Sequence, residues 1–325
     1  MKLLLAIDRD SDPRIVAAYV AERFGRQGVA IDVVTAIPDT DGASAHTRHM
    51  ADVLPFPRRR CAHYCAAEEL VAVLAAELRH KQGFRQVRSH VEYGDAGSAI
   101  VAACLRLNPD LLLMEAPRSR GLLTAFSLDG VTRRVVARVS CPVELLRPHA
   151  ATPRSLFNVL VPIPMMQPPE FPMKQLQALP WPRGSRLHLM GLLDGIFDDS
   201  RSEANPATVA LELRREQSAR RRARARLEAA ARELQAALPP DVEVVYDVAD
   251  GVSSKTIVEA ARRNCASLIA LPGVATDRSF RGLISGVSPG AVALAATCSV
   301  LLLRPPHGAE QSAPATPHIA PLLPH

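Results

Sequence analysis

The chain has 325 residues, 48% of them hydrophobic, 22% charged and only 4% aromatic. That balance belongs to a folded globular protein and excludes a disordered one, with length for two domains of about 150 residues and cores of Leu, Val, Ala and Ile. A net charge of +6 permits anionic partners without naming one, six cysteines are too sparse for a disulfide framework, and no apolar run reaches the ~18 residues of a membrane span.

The opening MKLLLAIDRDSD passes at once from an apolar run to acidic residues, which is a first strand and not a signal peptide. The expectation is therefore a cytoplasmic protein, with Cys104, Cys265 and Cys298 as reduced core thiols. Residues 2–7 read as a strand, and Ser11 or Asp12 followed by Pro13 as a helix start. That helix ends near Gly28, and residues 29–37 form a second strand. A polar loop with Pro55, Pro57 and Arg58-Arg59-Arg60 precedes a helix over 62–81, marked by Leu70, Val71, Leu74 and Leu78 at helical spacing. The alternation of 84–93 is a third strand. Gly94 turns the chain into a helix ending near Leu107, and residues 111–114 are a fourth strand. A helix over 121–139 and a strand over 142–146 close the first half.

Residues 148–155 read as a linker, and the same order then returns. Strands fall at 157–163, 187–193, 242–248, 268–271 and 299–303. Helices fall at 173–179, 207–238, 254–264 and from about Gly286 or Gly290 onward. Residues 306–325 form a Pro- and Ala-rich tail expected to be disordered. Gly94 and Gly251 stand 157 residues apart, as do Cys141 and Cys298, and Gly130 and Gly286 stand 156 apart. Equal offsets at three landmarks indicate an internal duplication, with domains at 1–147 and 156–305.

The repeated segments carry a family likeness. First strands LLLAID and VLVPIP, the glycine turns, helices and fourth strands of VEYGDAGSAIVAACLRLNPDLLLM and YDVADGVSSKTIVEAARRNCASLIAL, and the closing SCPVELLR and TCSVLLLR each resemble a universal stress protein domain. The resemblance implies an α/β fold: two repeated five-stranded parallel-sheet domains, Rossmann-like and of the adenine-nucleotide-binding type. It implies a stress-response regulatory protein that binds ATP, ADP or AMP, and pairing of domains through their last strands. A homodimer is the corresponding expectation.

In nucleotide-binding members the fourth strand is followed by Gly, two residues, Gly, nine residues and then Gly with Ser or Thr. Such glycines let backbone N–H groups approach phosphate, and an Asp ending the first strand is placed for ribose. The second half offers Gly273, Thr276 and Gly286, then Val287 and, one place late, Ser288. Pro164 stands where the Asp is expected. The first half keeps Asp8, but its loop reads Pro117, Arg120 and Gly130, followed by Val131 and Thr132. Guanidinium groups of Arg118 and Arg120 in one loop, and of Arg278 and Arg281 in the other, could replace missing backbone donors. The nucleotide site is thus degenerate, with the second half favoured. The alternative is that both loops only connect strand to helix, and that the protein is a nucleotide-independent scaffold for a protein partner or an apolar ligand.

Two further groupings were weighed. Cys61 and Cys65 share a helix face with His63 between them, but lack a second ligand pair, so no metal is expected. The run Arg220-Arg221-Arg222-Ala223-Arg224-Ala225-Arg226 reads as a solvated helix face balanced by Glu212, Glu216 and Glu228, so no nucleic-acid partner is expected. No catalytic spacing stands out, and a slow ATPase has no support in the motifs.

Overall fold

A computed structural model describes residues 1–25, 28–37, 62–116, 130–147, 156–165, 170–193, 206–272 and 287–304. The proposed linker and tail lie outside the described residues. The first half runs β1 (Lys2–Ala6), α1 (Pro13–Phe24), β2 (Ala30–Ile37), α2 (Ala62–Ala76), β3 (Gln86–Tyr93), α3 (Ala96–Leu107), β4 (Leu111–Glu115), α4 (Gly130–Arg138) and β5 (Val143–Leu146). The second runs β6 (Asn158–Pro164), α5 (Glu170–Ala178), β7 (Arg186–Leu193), α6 (Pro206–Ala237), β8 (Glu243–Asp250), α7 (Ser254–Arg263), β9 (Leu268–Leu271), α8 (Pro289–Ala295) and β10 (Ser299–Leu302). The helix expected to continue to Lys81 instead widens into one π turn, Glu77–Lys81.

All ten strands form one sheet in the order β3-β2-β1-β4-β5-β10-β9-β6-β7-β8. Each half is a parallel five-stranded unit with the same internal order, and the two meet where β5 and β10 pair antiparallel, Glu144 opposite Leu301. The last strands therefore pair inside one chain. β5 lies between β4 and β10, and β10 between β5 and β9, so both edges of each are filled. The homodimer expected through these strands is corrected on this point: their hydrogen-bonding edges are already used.

Strands buried on both faces explain the near-continuous apolar runs such as Leu3-Leu4-Leu5 and Leu111-Leu112-Leu113. One core lies under α1, α2, α5 and α6, the other under α3, α4, α7 and α8, and each includes residues from both halves. The likeness of the two halves extends to detail. Gly94 and Gly251 both take positive φ, 109° and 85°, at the strand-to-helix turn. Ala67, Val71, Leu74, Ala75 and Leu78 of the first half are buried, and so are Ala223, Leu227, Ala230, Ala231 and Leu234, each 156 residues on. A His–Asp pair recurs with its members exchanged: His90 Nε2 lies 2.8 Å from Asp32 Oδ1, and His188 Nε2 lies 3.1 Å from Asp247 Oδ1.

The seam is held by a reciprocal pair of arginines. From the end of β5, Arg147 donates to the carbonyls of Ala293 (2.7 Å) and Leu294 (3.2 Å) near the C-terminus of α8. From the end of β10, Arg304 donates to the carbonyls of Val136 in α4 and Cys141. Each guanidinium thus satisfies the terminal carbonyls of the other half's last helix, where the helix dipole also favours a cation. Burial lowers the affinity of both for their protons, Arg304 to a pKa of about 10.

Cys104 and Cys298 are buried and in no disulfide, as expected of core residues. Cys265 is not: it is exposed, at a left-handed φ of 47° in the turn between α7 and β9.

Candidate functional site

In this strand order the topological switch points fall between β1 and β4 and between β6 and β9, the places where open α/β sheets receive ligands beyond the carboxyl ends of their strands. The two switch points differ in how far the strands stay paired. β1 and β4 remain in register over four residue pairs, Leu3↔Leu111 to Ala6↔Met114. β6 and β9 pair over two, Val159↔Leu268 and Leu160↔Ile269. The cause is in the sequence. Met165 donates its N–H to Leu192 of β7, so by alternation Pro162 and Pro164 sit where an N–H would point to β9, and neither has one. Matching Val159 to Leu3 by their ladder partners also sets Pro164 in the place of Asp8.

Asp8 stands exposed just beyond β1, in a tight loop of its own making. Its Oδ1 accepts from the Asp10 N–H (2.9 Å) and from the Ser11 hydroxyl (3.2 Å), while its own N–H donates to Ser11 Oγ (3.1 Å). Asp12 is the helix cap, accepting from the Arg14 N–H at 2.9 Å, with Pro13 in the first turn. The Asp8 carboxylate is thereby oriented before any ligand arrives.

Gly130 opens α4 and is exposed, whereas Thr132 is buried with Val135 and Val136. The structure thus separates these two candidates: Thr132 belongs to the core face of α4. Beside them, Asp95 caps α3 through the Ser98 N–H (2.9 Å) and pairs with Arg134 of α4. The Ser98 N–H bond, reinforced by Arg134, holds the Asp95 carboxyl below the usual carboxylate range.

In the second half Val287 is buried, and Ser288 caps α8 by accepting from the Ala291 N–H at 3.3 Å. Both backbone groups of Ser288 are engaged by one side chain: Ser254 Oγ accepts from its N–H (3.1 Å) and donates to its carbonyl (3.3 Å). Ser254 was absent from the sequence-based candidates, and no local pattern could have exposed it, because it stands 34 residues away on α7. In the first half its counterpart is Gly97, 157 residues before it. Gly273, Thr276, Arg278, Arg281, Gly286, Pro117, Arg118 and Arg120 lie outside the described residues, as does Cys61. Among the described residues no group of three His, Cys, Asp or Glu side chains could hold a metal, and no helix is long and apolar enough to cross a membrane.

A parallel sheet with helices on both faces, a switch point in each half and a rigid Asp beyond its first strand define a doubly wound α/β protein of the nucleotide-fold class. Residues 1–147, a little under half of the chain, match the model of the universal stress protein family. No curated protein is similar to it in sequence. Solved structures extend the fold to both halves. A universal stress protein from Archaeoglobus fulgidus DSM 4304 aligns with a TM-score of 0.58 at 16% identity, covering 93% of this chain and 98% of that one. A functionally unknown protein from Pseudomonas aeruginosa PAO1 aligns at 0.52 and 14%, covering 94% and 92%. A putative universal stress protein from Pseudomonas aeruginosa UCBPP-PA14 aligns at 0.50 and 14%, covering 94% and 93%.

Proposed function

We propose that this chain is a tandem universal stress protein, with domains at 1–147 and 156–305, that acts as a stress-response regulatory protein by binding an adenine nucleotide. The second half is the favoured site. The observation that carries this reading is the open crevice between β6 and β9: pairing stops after Leu160 and Ile269. β9 ends at Leu271 beside that opening, and the sequence that follows, 273–286, keeps two of the three glycines of the phosphate pattern. Ser288, two residues after Gly286 in sequence, is fixed by Ser254. Arg278 supplies a guanidinium that a phosphate can accept from.

The second reading is a nucleotide-independent scaffold. It is favoured by the replacement of Asp8 by Pro164 and by the use of Ser288 as a helix cap. Equilibrium dialysis of the full chain against ATP, ADP and AMP separates the two. Saturable binding that is lost in Gly286→Val and retained in Asp8→Asn is expected of a second-half site. Absence of binding at millimolar ligand would leave the scaffold reading.

A further inference from the structure

The described part of α6 contains a stretch that the duplication does not account for. The buried positions of α2 are repeated from Ala223 onward, so α6 over 218–237 is the counterpart of 62–81. The twelve residues before it, 206–217, continue as helix and have no described counterpart in the first half. At 32 residues α6 is about 48 Å long. Among the described residues, none from Leu211 to Arg222 is buried, so this end of the helix stands clear of the sheet.

Charge is sorted around this exposed end. The buried stripe of Ala223 and Leu227 continues toward the N-terminus through Arg220, Glu216 and Glu212 at three- and four-residue steps. Glu216 thus lies on the stripe turned to the body, where Arg220 pairs with Asp250 (2.6 Å) at the end of β8, whereas Glu228 is exposed one turn beyond Arg224. Arg226 donates to the Met165 carbonyl at 2.8 Å. Arg214, Arg215, Arg221, Arg222 and Arg224 lie on the other faces, and no acidic residue stands between Glu216 and Glu228. From Arg214 to Arg224 they span about 15 Å of helix axis.

The composition of this face selects among polyanions. Residues 206–237 contain no aromatic side chain, so nothing can stack on the bases of a single strand. From Arg214 to Arg226 the only apolar side chains are alanines, and the exposed Leu211 and Leu213 stand just before that run, so anionic vesicles are the competing ligand in the test below. What remains is a cationic cylinder matched to closely spaced, fixed phosphates. A helix of this diameter fits the major groove of a duplex, which is about 12 Å wide.

We infer that the exposed end of α6 is a docking surface for double-stranded nucleic acid, engaged through backbone phosphates without reading sequence. This reverses the expectation drawn from the arginine run alone. The test uses the full chain and fluorescently labelled 20-base-pair DNA duplexes of two unrelated sequences, read by anisotropy. Both are expected to bind equally. With four to six phosphates neutralised, the log–log salt dependence is expected at about −4 to −5. Arg221→Glu/Arg222→Glu/Arg224→Glu is expected to weaken binding more than tenfold with an unchanged far-ultraviolet spectrum, since the three positions are exposed and Glu keeps the helix. Arg262→Glu/Arg263→Glu on α7 should leave binding unchanged. No binding at 100 μM protein in about 50 mM salt, an unaffected triple variant, or tighter binding to anionic vesicles or single strands than to the duplexes would each overturn the inference.

Discussion

Replacing Arg23 by Met should be among the most damaging single changes in this protein, and the reason lies at the seam. Arg23 and Glu144 are both fully buried, with Nε 3.3 Å from Oε2. Tyr19 donates to the other carboxylate oxygen at 2.5 Å, and the guanidinium donates to the Pro180 carbonyl at 2.5 Å. It also lies 4.7 Å, 5.6 Å and 4.5 Å from the ring centroids of Phe24, Phe157 and Trp181. Burial and the facing Glu144 charge push the Tyr19 hydroxyl well above its ordinary pKa, which keeps it a donor. Arg23→Met strands the Glu144 carboxylate away from water, at a cost of about 3–5 kcal/mol. The second half displays an apolar pair in place of the ion pair, since Arg23 corresponds to the buried Leu179 at the 156-residue spacing of the first strands and Glu144 to Leu301 at the 157-residue spacing of the last. Moreover, Arg23 Nη2 has no hydrogen-bond partner, so the polar cluster is itself incompletely satisfied. Tyr19→Phe/Arg23→Met/Glu144→Leu should therefore recover most of the loss, to within about 1 kcal/mol of the parent protein or above it. Urea unfolding of the parent, the single and the triple variant, compared at matched slopes, measures this. A single variant that loses less than about 1 kcal/mol, or a triple variant as unstable as the single, would refute the reasoning.

Two other outcomes follow from packing and charge. Gly191 lies on β7 beneath α6, where an added Cβ would come within 2.6 Å of Leu227 Cδ1 and 2.9 Å of Met165 Sδ. Gly191→Ala should destabilise by about 1–3 kcal/mol through overpacking, and Gly191→Ala/Leu227→Ala should relieve the clash while adding a cavity, which unfolding midpoints of the two variants resolve. Asp95 has its carboxyl lowered by the Ser98 N–H and Arg134. A depressed folded-state pKa stabilises above the unfolded value and is lost as pH falls through the folded one. Asp95→Asn should flatten the decline of melting temperature below about pH 4 and leave its shape between pH 6 and 8 unchanged, as scanning calorimetry would show.

Much of the fold was legible because its signals are local or periodic. The apolar runs of β1, β4 and β9, the Asp12-Pro13 helix start and the positive-φ turns at Gly94 and Gly251 each follow from a few adjacent residues. The equal spacing of distant landmarks carried the duplication. What could not be read depends on reach across the sheet. Nothing near Arg147 in sequence announces that it will meet Ala293, nor does anything near Ser288 announce Ser254. Thr132 shows the limit from the other side: a hydroxyl in the expected place along the chain turns inward, because helical phase puts it with Val135 and Val136.

The crossed arginines have a mechanical consequence. The helix whose start lies beside the second-half crevice, α8, is gripped near its far end by Arg147, the residue that follows β5, the last strand of the first half. Its mirror, α4, is gripped by Arg304 from the second. Any displacement of α8 on filling its crevice would pull on the end of β5, two residues from Leu145 in the seam ladder, and on the Arg147 N–H that donates to Ser299 Oγ. The two crevices thus share a crossbar: a load applied in one half is delivered to the strand ends of the other.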